Sequence, residues 1–318
     1  MKIWSSAESF IKPPFAVVTS GTFDGVHLGH RKILNKLIEL AKKHHGETVV
    51  LTYWPHPRLV LNPADTSIKL LHTFREKCEK LEALGIDHLV CLPFTKSFSE
   101  MSAEQFIKNI LVDQIGTRRL VIGYDHHFGK NREGNFDQLK LVGPQLGFDV
   151  EEIPRQDIDE AAISSSAIRR YLNNGDVKKA AQLLGNSYGL RGKVISGEKI
   201  GRQIGFPTAN ISLKESDDQD SIYKLIPAEG IYAVFVRVGN LKHKGMLYIG
   251  SRPTVGGSNQ VIEVNILDFN QQIYDQLIEV TFIDRIRGDI HFNSLEALRA
   301  QLMLDRQDTL NILDKVHP

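Results

Sequence analysis

One ten-residue segment, Gly21-Thr22-Phe23-Asp24-Gly25-Val26-His27-Leu28-Gly29-His30, constrains this chain more than any other. An apolar run, Phe15 to Thr19, precedes it. A helical pattern with Ile33, Leu34, Leu37, Ile38 and Ala41 on one face follows. The segment therefore predicts the turn from a first buried strand into a first helix. Turns of that kind in α/β folds receive nucleotide phosphates, because free backbone N–H groups and the helix dipole both favour anions. His27 and His30 enter the same helix start. They read as a phosphate clamp, each a hydrogen-bond donor that gains charge once a polyanion raises its pKa. Thr22 and Asp24 beside them either hold the turn or position the clamp.

Up to about residue 185, strand and helix patterns alternate. Thr48 to Tyr53 is a second strand, stopped by Trp54-Pro55-His56-Pro57. A helix follows with Phe74, Cys78, Leu81 and Leu84 in phase, and Gly85 closes it. His88 to Leu92 is the next strand. Ser102 and Gln105 then form a capping-box start for a helix carrying Phe106, Ile107, Ile110 and Leu111. Arg119 to Gly123 and Phe148 to Ile153 complete the strand set. Such alternation predicts an α/β fold with a mostly parallel sheet covered on both faces, its ligands outside the carboxyl ends of the strands. Asp176 opens a short helix, Ala180 to Leu184, that Gly185 closes.

Beyond a boundary at residues 185–188 the pattern changes. Gly230 to Val238 turns at Gly239-Asn240 and returns as Gly245 to Gly250. Val261 to Phe269 and Leu277 to Ile286 alternate apolar and polar residues. With a final helix containing Leu295, Leu298, Leu302 and Leu304, this predicts a small antiparallel barrel. At 318 residues the chain has room for two domains, 1–185 and 186–318. Its 39 Lys and Arg against 38 Asp and Glu leave no basic field for nucleic acid or an acidic membrane, so anion recognition is local. Cys78 and Cys91 read as small buried hydrophobes, which fits a reducing cytoplasm. No run reaches the ~18 apolar residues of a spanning helix, and the N-terminus has no leader-like apolar stretch. Lys214 to Ser221 reads as a solvated loop.

Two further elements carry anion chemistry. Ile163-Ser164-Ser165-Ser166-Ala167-Ile168-Arg169 places three hydroxyls at a helix start with an arginine a turn later, either an ordinary N-cap or a second anion site. Gly123 to Asn135 is a Gly-flanked, cation-rich loop that contains Asp125. With the first segment, these residues resemble the nucleotidylyltransferase superfamily marked by an H-x-G-H signature. The Pro55-His56-Pro57 turn and the Gly123 to Gly134 loop narrow the resemblance to the adenylyltransferase half of bacterial bifunctional riboflavin kinase/FAD synthetases.

The resemblance implies a doubly wound, Rossmann-like nucleotidylyltransferase domain in which FMN and ATP give FAD and pyrophosphate. It places Gly21, Thr22, Phe23, Asp24, Asp125, Ser164, Ser165 and Ser166 at the nucleotide, and His27, His30 and Arg169 at the reacting phosphates. Where the family loop reads D-F-R-F-G, this chain has Asp125-His126-His127-Phe128-Gly129, so His127 stands for an arginine. A third serine stands for the commoner threonine. The nucleophile, an FMN phosphate oxygen, is already anionic near neutrality, its second pKa being about 6. The site must therefore supply alignment and charge stabilisation, with Mg²⁺, rather than a base. Flavin-ring contacts are expected from the loops Pro93 to Ser102 and His126 to Asn135.

In the second half, Gly197 to Asn210 is by itself a Gly-rich loop or a pair of β-turns, without Walker A spacing. Its string Gly205-Phe206-Pro207-Thr208-Ala209-Asn210 resembles the riboflavin kinase signature, and Tyr248 to Gly257 and Arg287 to Leu295 match further segments of that family. The likeness thus runs from residue 15 to residue 305. It implies a β-barrel kinase domain with a C-terminal helix, phosphorylating riboflavin from ATP. An alcohol must lose a proton in that reaction, so a carboxylate is expected. The family's glutamate, in an E-x-H segment, falls on Glu263, with Asn265 where histidine is usual. On its residues alone Glu263 is an outward strand carboxylate. The likeness further assigns Gly201 and Arg202 to the nucleotide, Thr208 and Asn210 to Mg²⁺-ATP as oxygen donors, and Arg287 to the flavin. Two rival readings are another nucleotidylyltransferase with an accessory barrel, and a flavin-binding protein with one or both sites inactive.

Overall fold

The computed structural model describes residues 1–65, 68–153, 163–197, 200–216, 218–254 and 257–316. By internal contacts the chain divides into two units, Met1–Ser165 and Ser166–Pro318. The division lies earlier than the boundary expected at 185–188. Its cause is the helix pair α3 (Ser165–Asn173) and α4 (Val177–Leu184), which is tied to the barrel. Ala228 N–H donates to the Leu172 carbonyl, and the Arg285 guanidinium caps the carbonyls of Asn174 and Glu229.

The first unit is built on a six-stranded sheet in the order β1-β4-β3-β2-β5-β6. These are Lys2–Trp4, His88–Pro93, Glu47–Trp54, Ala16–Ser20, Thr117–Gly123 and Asp149–Ile153, and every pairing is parallel. The five residues of β2 are all buried, as parallel strands covered on both faces require. Alternate residues feed opposite cores. Val18, Val49 and Leu51 pack with Phe106, Ile107 and Ile110, while Val17 and Val50 pack with Leu34, Leu37 and Leu81. The edge strand β1 carries no sequence signal: it is three residues long and largely exposed.

Helix α1 (Leu28–Lys43) buries Leu34, Leu37, Leu40 and Ala41, while Ile33 and Ile38 sit half-buried at the flanks of that stripe. The second helix, α2 (Phe74–Ala83), begins at a Thr73–Glu76 capping box and buries Lys77 between Phe74 and Leu81. The expected Ser102–Gln105 capping box is present, and the helix it opens continues as a π-helix over Phe106–Gln114. Cys78 is buried as expected, whereas Cys91 is only half-buried. Strand β2 has β3 on one side and β5 on the other, so chain direction across the sheet reverses there. The carboxyl ends of β2 and β5 flank this switch point.

In the second unit six strands close a barrel, β10-β11-β8-β7-β12-β9. They are β7 (Gly189–Ile195), β8 (Ala209–Ser212), β9 (Gly230–Val238), β10 (Leu241–Thr254), β11 (Gly257–Ile266) and β12 (Leu277–Arg287). The two-residue turn Gly239-Asn240 sets the β9–β10 register at Val238↔Leu241, with Gly239 at φ +57°. Strand β11 stops at Ile266, short of the expected Phe269, because Asp268 enters a turn at φ +54°.

The final helix, α5 (Leu295–Leu313), covers the outer face of β9 through Leu313, which packs on Ala233 and Phe235. Its buried stripe differs from the expected leucines. Leu295 and Leu304 face outward, while Asp305, Thr309 and Leu313 face in. A carboxylate lies on that stripe because Arg287 Nε and Nη2 donate to it at 3.0 and 2.7 Å, joined by Gln301 Nε2 at 2.9 Å. No helix among the described residues is long and apolar enough to cross a membrane. Asp305→Ala strands the Arg287 charge against apolar surroundings and should destabilise the barrel by about 3 kcal/mol. The barrel's denaturant transition reads this directly, and a change of under ~1 kcal/mol would contradict it.

Candidate active sites

The Gly21–His30 turn is held from three sides. Both oxygens of the buried Asp24 carboxylate accept the Leu71 N–H, at 3.0 and 3.2 Å, and one also accepts the His72 N–H at 3.1 Å. Ser165 Oγ donates to the Asp24 carbonyl at 2.8 Å, joining the triple-serine segment to the turn across 141 positions of sequence. Thr52 Oγ1 donates to the Thr22 carbonyl at 3.4 Å. So constrained, Phe23 and Val26 take φ of +46° and +40°. That is a strained region for an aromatic and a β-branched residue, and strain of this kind concentrates at functional sites. The N–H groups of Thr22 and Phe23 have no hydrogen-bond partner among the described residues.

His27 caps α1, its Nδ1 accepting the His30 N–H at 3.3 Å. The neutral ring then carries its proton on Nε2. The two imidazoles stack with centroids 3.6 Å apart and planes 16° from parallel, and the Phe23 ring meets His30 edge-on at 5.3 Å. His30 Nδ1 is buried without a partner. Burial first, then the neighbouring His27 and Lys77, push the His30 pKa well below 6.5. The fold therefore favours the neutral form of His30.

At the end of β5 the Gly123–Asn135 loop folds onto the capped start of the π-helix. Phe128 and Gly134 bridge, Lys130 N–H reaches the Met101 carbonyl at 2.8 Å, and Glu133 accepts the Ala103 N–H at 2.8 Å. A Cβ on Gly129, at φ +74°, would strike the Ala103 backbone, so this close approach needs glycine. Asp125 and His127 are exposed, and His126 lies half-buried against Phe128. Burial, with His127 and Arg132 adding like charge, pushes His126 down to about 4. A run of touching aromatics, Tyr53, Phe94, Phe98, Phe106 and Phe128, links the Pro93–Ser102 loop to this one. Ser164 immediately precedes α3, on which Ser166 and Arg169 stand.

The barrel brings together a second set. Tyr248, Glu263 and Asn210 face each other in one row across β10, β11 and β8. Thr208 Oγ1 donates to Glu263 Oε2 at 3.1 Å. Asn265 Nδ2 donates to the Pro207 carbonyl at 2.6 Å and so holds the loop that presents Thr208. Gly201 accepts the Phe206 N–H at 2.8 Å, and a Cβ there would collide with the Phe206 carbonyl. Arg202, exposed on a short helical turn, lines a cleft with Thr208, Ala209, Ile266, Phe269 and Tyr274. Burial, then Asp289, raises Tyr248 to about 12. Arg287, which the resemblance places at the flavin, gives its guanidinium to Asp305 and to the Gly288 carbonyl. Glu198, Lys199, Val255 and Gly256 lie outside the described residues.

Sequence reading missed three members of these sites. Lys77 was legible only as a lysine in phase with Phe74 and Leu81, Thr52 looked like an ordinary strand residue, and Tyr248 stood in a family-like segment without a role of its own.

The FAD synthetase family model matches residues 11–167 and the riboflavin kinase model residues 184–313. A Listeria monocytogenes protein named bifunctional riboflavin kinase/FMN adenylyltransferase is 39% identical over 294 residues, covering 92% of this chain and 91% of its own. The Escherichia coli K12 protein of that name is 36% identical over 290 residues, covering 91% and 90%. A Streptococcus pneumoniae crystal structure described as a macrolide-efflux protein aligns at TM-score 0.86 and 30% identity over 98% of both chains. The chain belongs to the bifunctional riboflavin kinase/FMN adenylyltransferase family, with its FAD synthetase region first and its flavokinase region second.

The folded state keeps His30 and His126 neutral where the unfolded chain protonates them, below about pH 6.5. The unfolded state thus binds more protons, and stability of the first unit should fall as pH drops from 6.5, His126's share continuing to about 4. Denaturant titrations across that range check this, and a flat profile would refute it.

Proposed function

We propose that the two reactions of this family are divided between the two sites: FMN adenylylation at the His27–His30 turn and riboflavin phosphorylation at Glu263. What carries the division is the Thr208–Glu263 hydrogen bond, in a unit that shares no residue with the histidine-lined turn.

In the adenylylation, a phosphate oxygen of FMN attacks the α-phosphate of ATP and pyrophosphate departs. The attacking oxygen is anionic already. The N–H groups of Thr22 and Phe23, the His27 ring and the dipole of α1 each favour negative charge at this helix start. A polyanion seated there reverses the balance that keeps His30 neutral, so nucleotide binding takes up a proton. The hydroxyl of Ser164, next to Ser165, is a further phosphate donor. Asp24 and Ser165 act on the turn itself, which they hold. The aromatic run from Tyr53 to Phe128 is the platform for the flavin ring.

In the phosphorylation, Glu263 accepts the proton of the ribityl hydroxyl as that oxygen attacks the γ-phosphate of ATP and ADP departs. Thr208 fixes the rotamer of that carboxylate from one side. Thr208 and Asn210 present hydroxyl and amide oxygens beside Glu263, a donor set that fits Mg²⁺. Those two residues would hold the ion, which would neutralise phosphate charge. Arg202 and the cleft beside Thr208 would take the rest of the nucleotide. Asn265 does for the Pro207 loop what a neutral donor must, so the departure from histidine leaves the carboxylate presented. Two unpaired cysteines support a cytoplasmic location.

Glu263→Gln should lower riboflavin phosphorylation at least ~100-fold while FAD formation from supplied FMN persists. His30→Ala should do the reverse. Both are read by resolving the flavins after incubation with ATP and Mg²⁺, and equal loss of both activities in either variant would sink the division.

A further inference from the structure

Lys77 is 1% exposed, on the apolar stripe of α2 where a leucine or methionine would fill the same space. Burying an ammonium is costly unless what it faces compensates. Its Nζ donates to Thr52 Oγ1 at 3.2 Å and lies 4.9 Å from the Trp54 ring centroid, at the carboxyl end of β3. Because Thr52 accepts from the lysine, its own proton goes elsewhere, and it goes to the Thr22 carbonyl at 3.4 Å. The Thr22 carbonyl and the Phe23 N–H belong to one planar trans peptide and point in opposite directions. Drawing the carbonyl toward Thr52 therefore turns the Phe23 N–H the other way, where it has no partner among the described residues.

We propose that Lys77 is a positioning residue for adenylyl transfer: through Thr52 it orients the Thr22–Phe23 peptide so that its N–H faces the incoming phosphate. The inference rests on the assignment of FMN adenylylation to this turn. The ammonium has a second effect, on His30. The charged or titratable neighbours acting on that ring are His27 on its own helix and Lys77 on α2; Asp24, in the turn, is engaged by the Leu71 and His72 N–H groups. Lys77 thus acts on the turn twice, by aiming a donor and by disfavouring a proton on His30.

Two variants of the full chain test this. Lys77→Met keeps the side-chain length and removes the charge; Thr52→Val removes the relay and keeps the charge. FAD formation from FMN and ATP, riboflavin phosphorylation by the same preparation, and the NMR titration of His30 are measured for each. Direct donors to a developing charge are worth ~100-fold or more, so an indirect one should cost about tenfold. Lys77→Met should lower kcat for FAD formation about tenfold, leave riboflavin phosphorylation within about twofold, and move the His30 titration upward. Thr52→Val should lower kcat similarly with the His30 titration unmoved. Wild-type FAD formation in Thr52→Val, or parallel loss of both activities in it, overturns the positioning role, and does so even if Lys77→Met fails to fold. Failure of the unaltered chain to make FAD from FMN and ATP would instead sink the assignment of the turn.

Discussion

The Asp24 carboxylate, closed on the N–H groups of Leu71 and His72, is the constraint on which the first site depends. It anchors the middle of a turn whose neighbours on both sides, Phe23 and Val26, occupy backbone conformations they would otherwise avoid. A turn without that anchor, and without the Ser165 hydroxyl on the Asp24 carbonyl, would relax toward ordinary dihedrals. Relaxation would rotate the Thr22 and Phe23 peptides. The geometry of the turn is thus a property of strained backbone held by buried side chains.

The electrostatic logic follows from burial. His30 sits where a proton is disfavoured by desolvation and by two neighbours, so the turn carries less positive charge than its composition suggests. Lys77, on α2, contributes to that balance as one of the two neighbours.

The barrel solves a different problem with different parts. Its carboxylate is carried on a strand, where side-chain direction follows from the two-residue period, and is steadied by a hydroxyl from the neighbouring loop. The loop in turn is held by Asn265, two positions along the same strand and therefore on the same face as Glu263. Arg287 and Asp305 lock the end of β12 to α5. Placing a buried ion pair there fixes the course of the segment that follows, which contains Asp289, the hydrogen-bond partner of the Tyr248 hydroxyl.

What the chain reveals without its structure is what is local. Periods of 3.6 and 2 separated an α/β half from a barrel, and the Gly239-Asn240 turn and the Ser102–Gln105 cap stand where their side chains require. The Leu295 to Leu304 pattern shows the limit of that reading. Leu295 and Leu304 mark a helix, yet the buried stripe turned out to run through Asp305 and Thr309, because Arg287, eighteen positions away, supplies the missing partner. Candidate site residues were legible as motifs, but their geometry was not: Asp24 with Leu71, Ser165 with Asp24, Lys77 with Thr52, and Thr208 with Glu263 are each joined across dozens of positions. Short-range chemistry determines which elements form and where they stop. Which side chains then meet depends on strand order and closure of the barrel, and only the folded chain decides those.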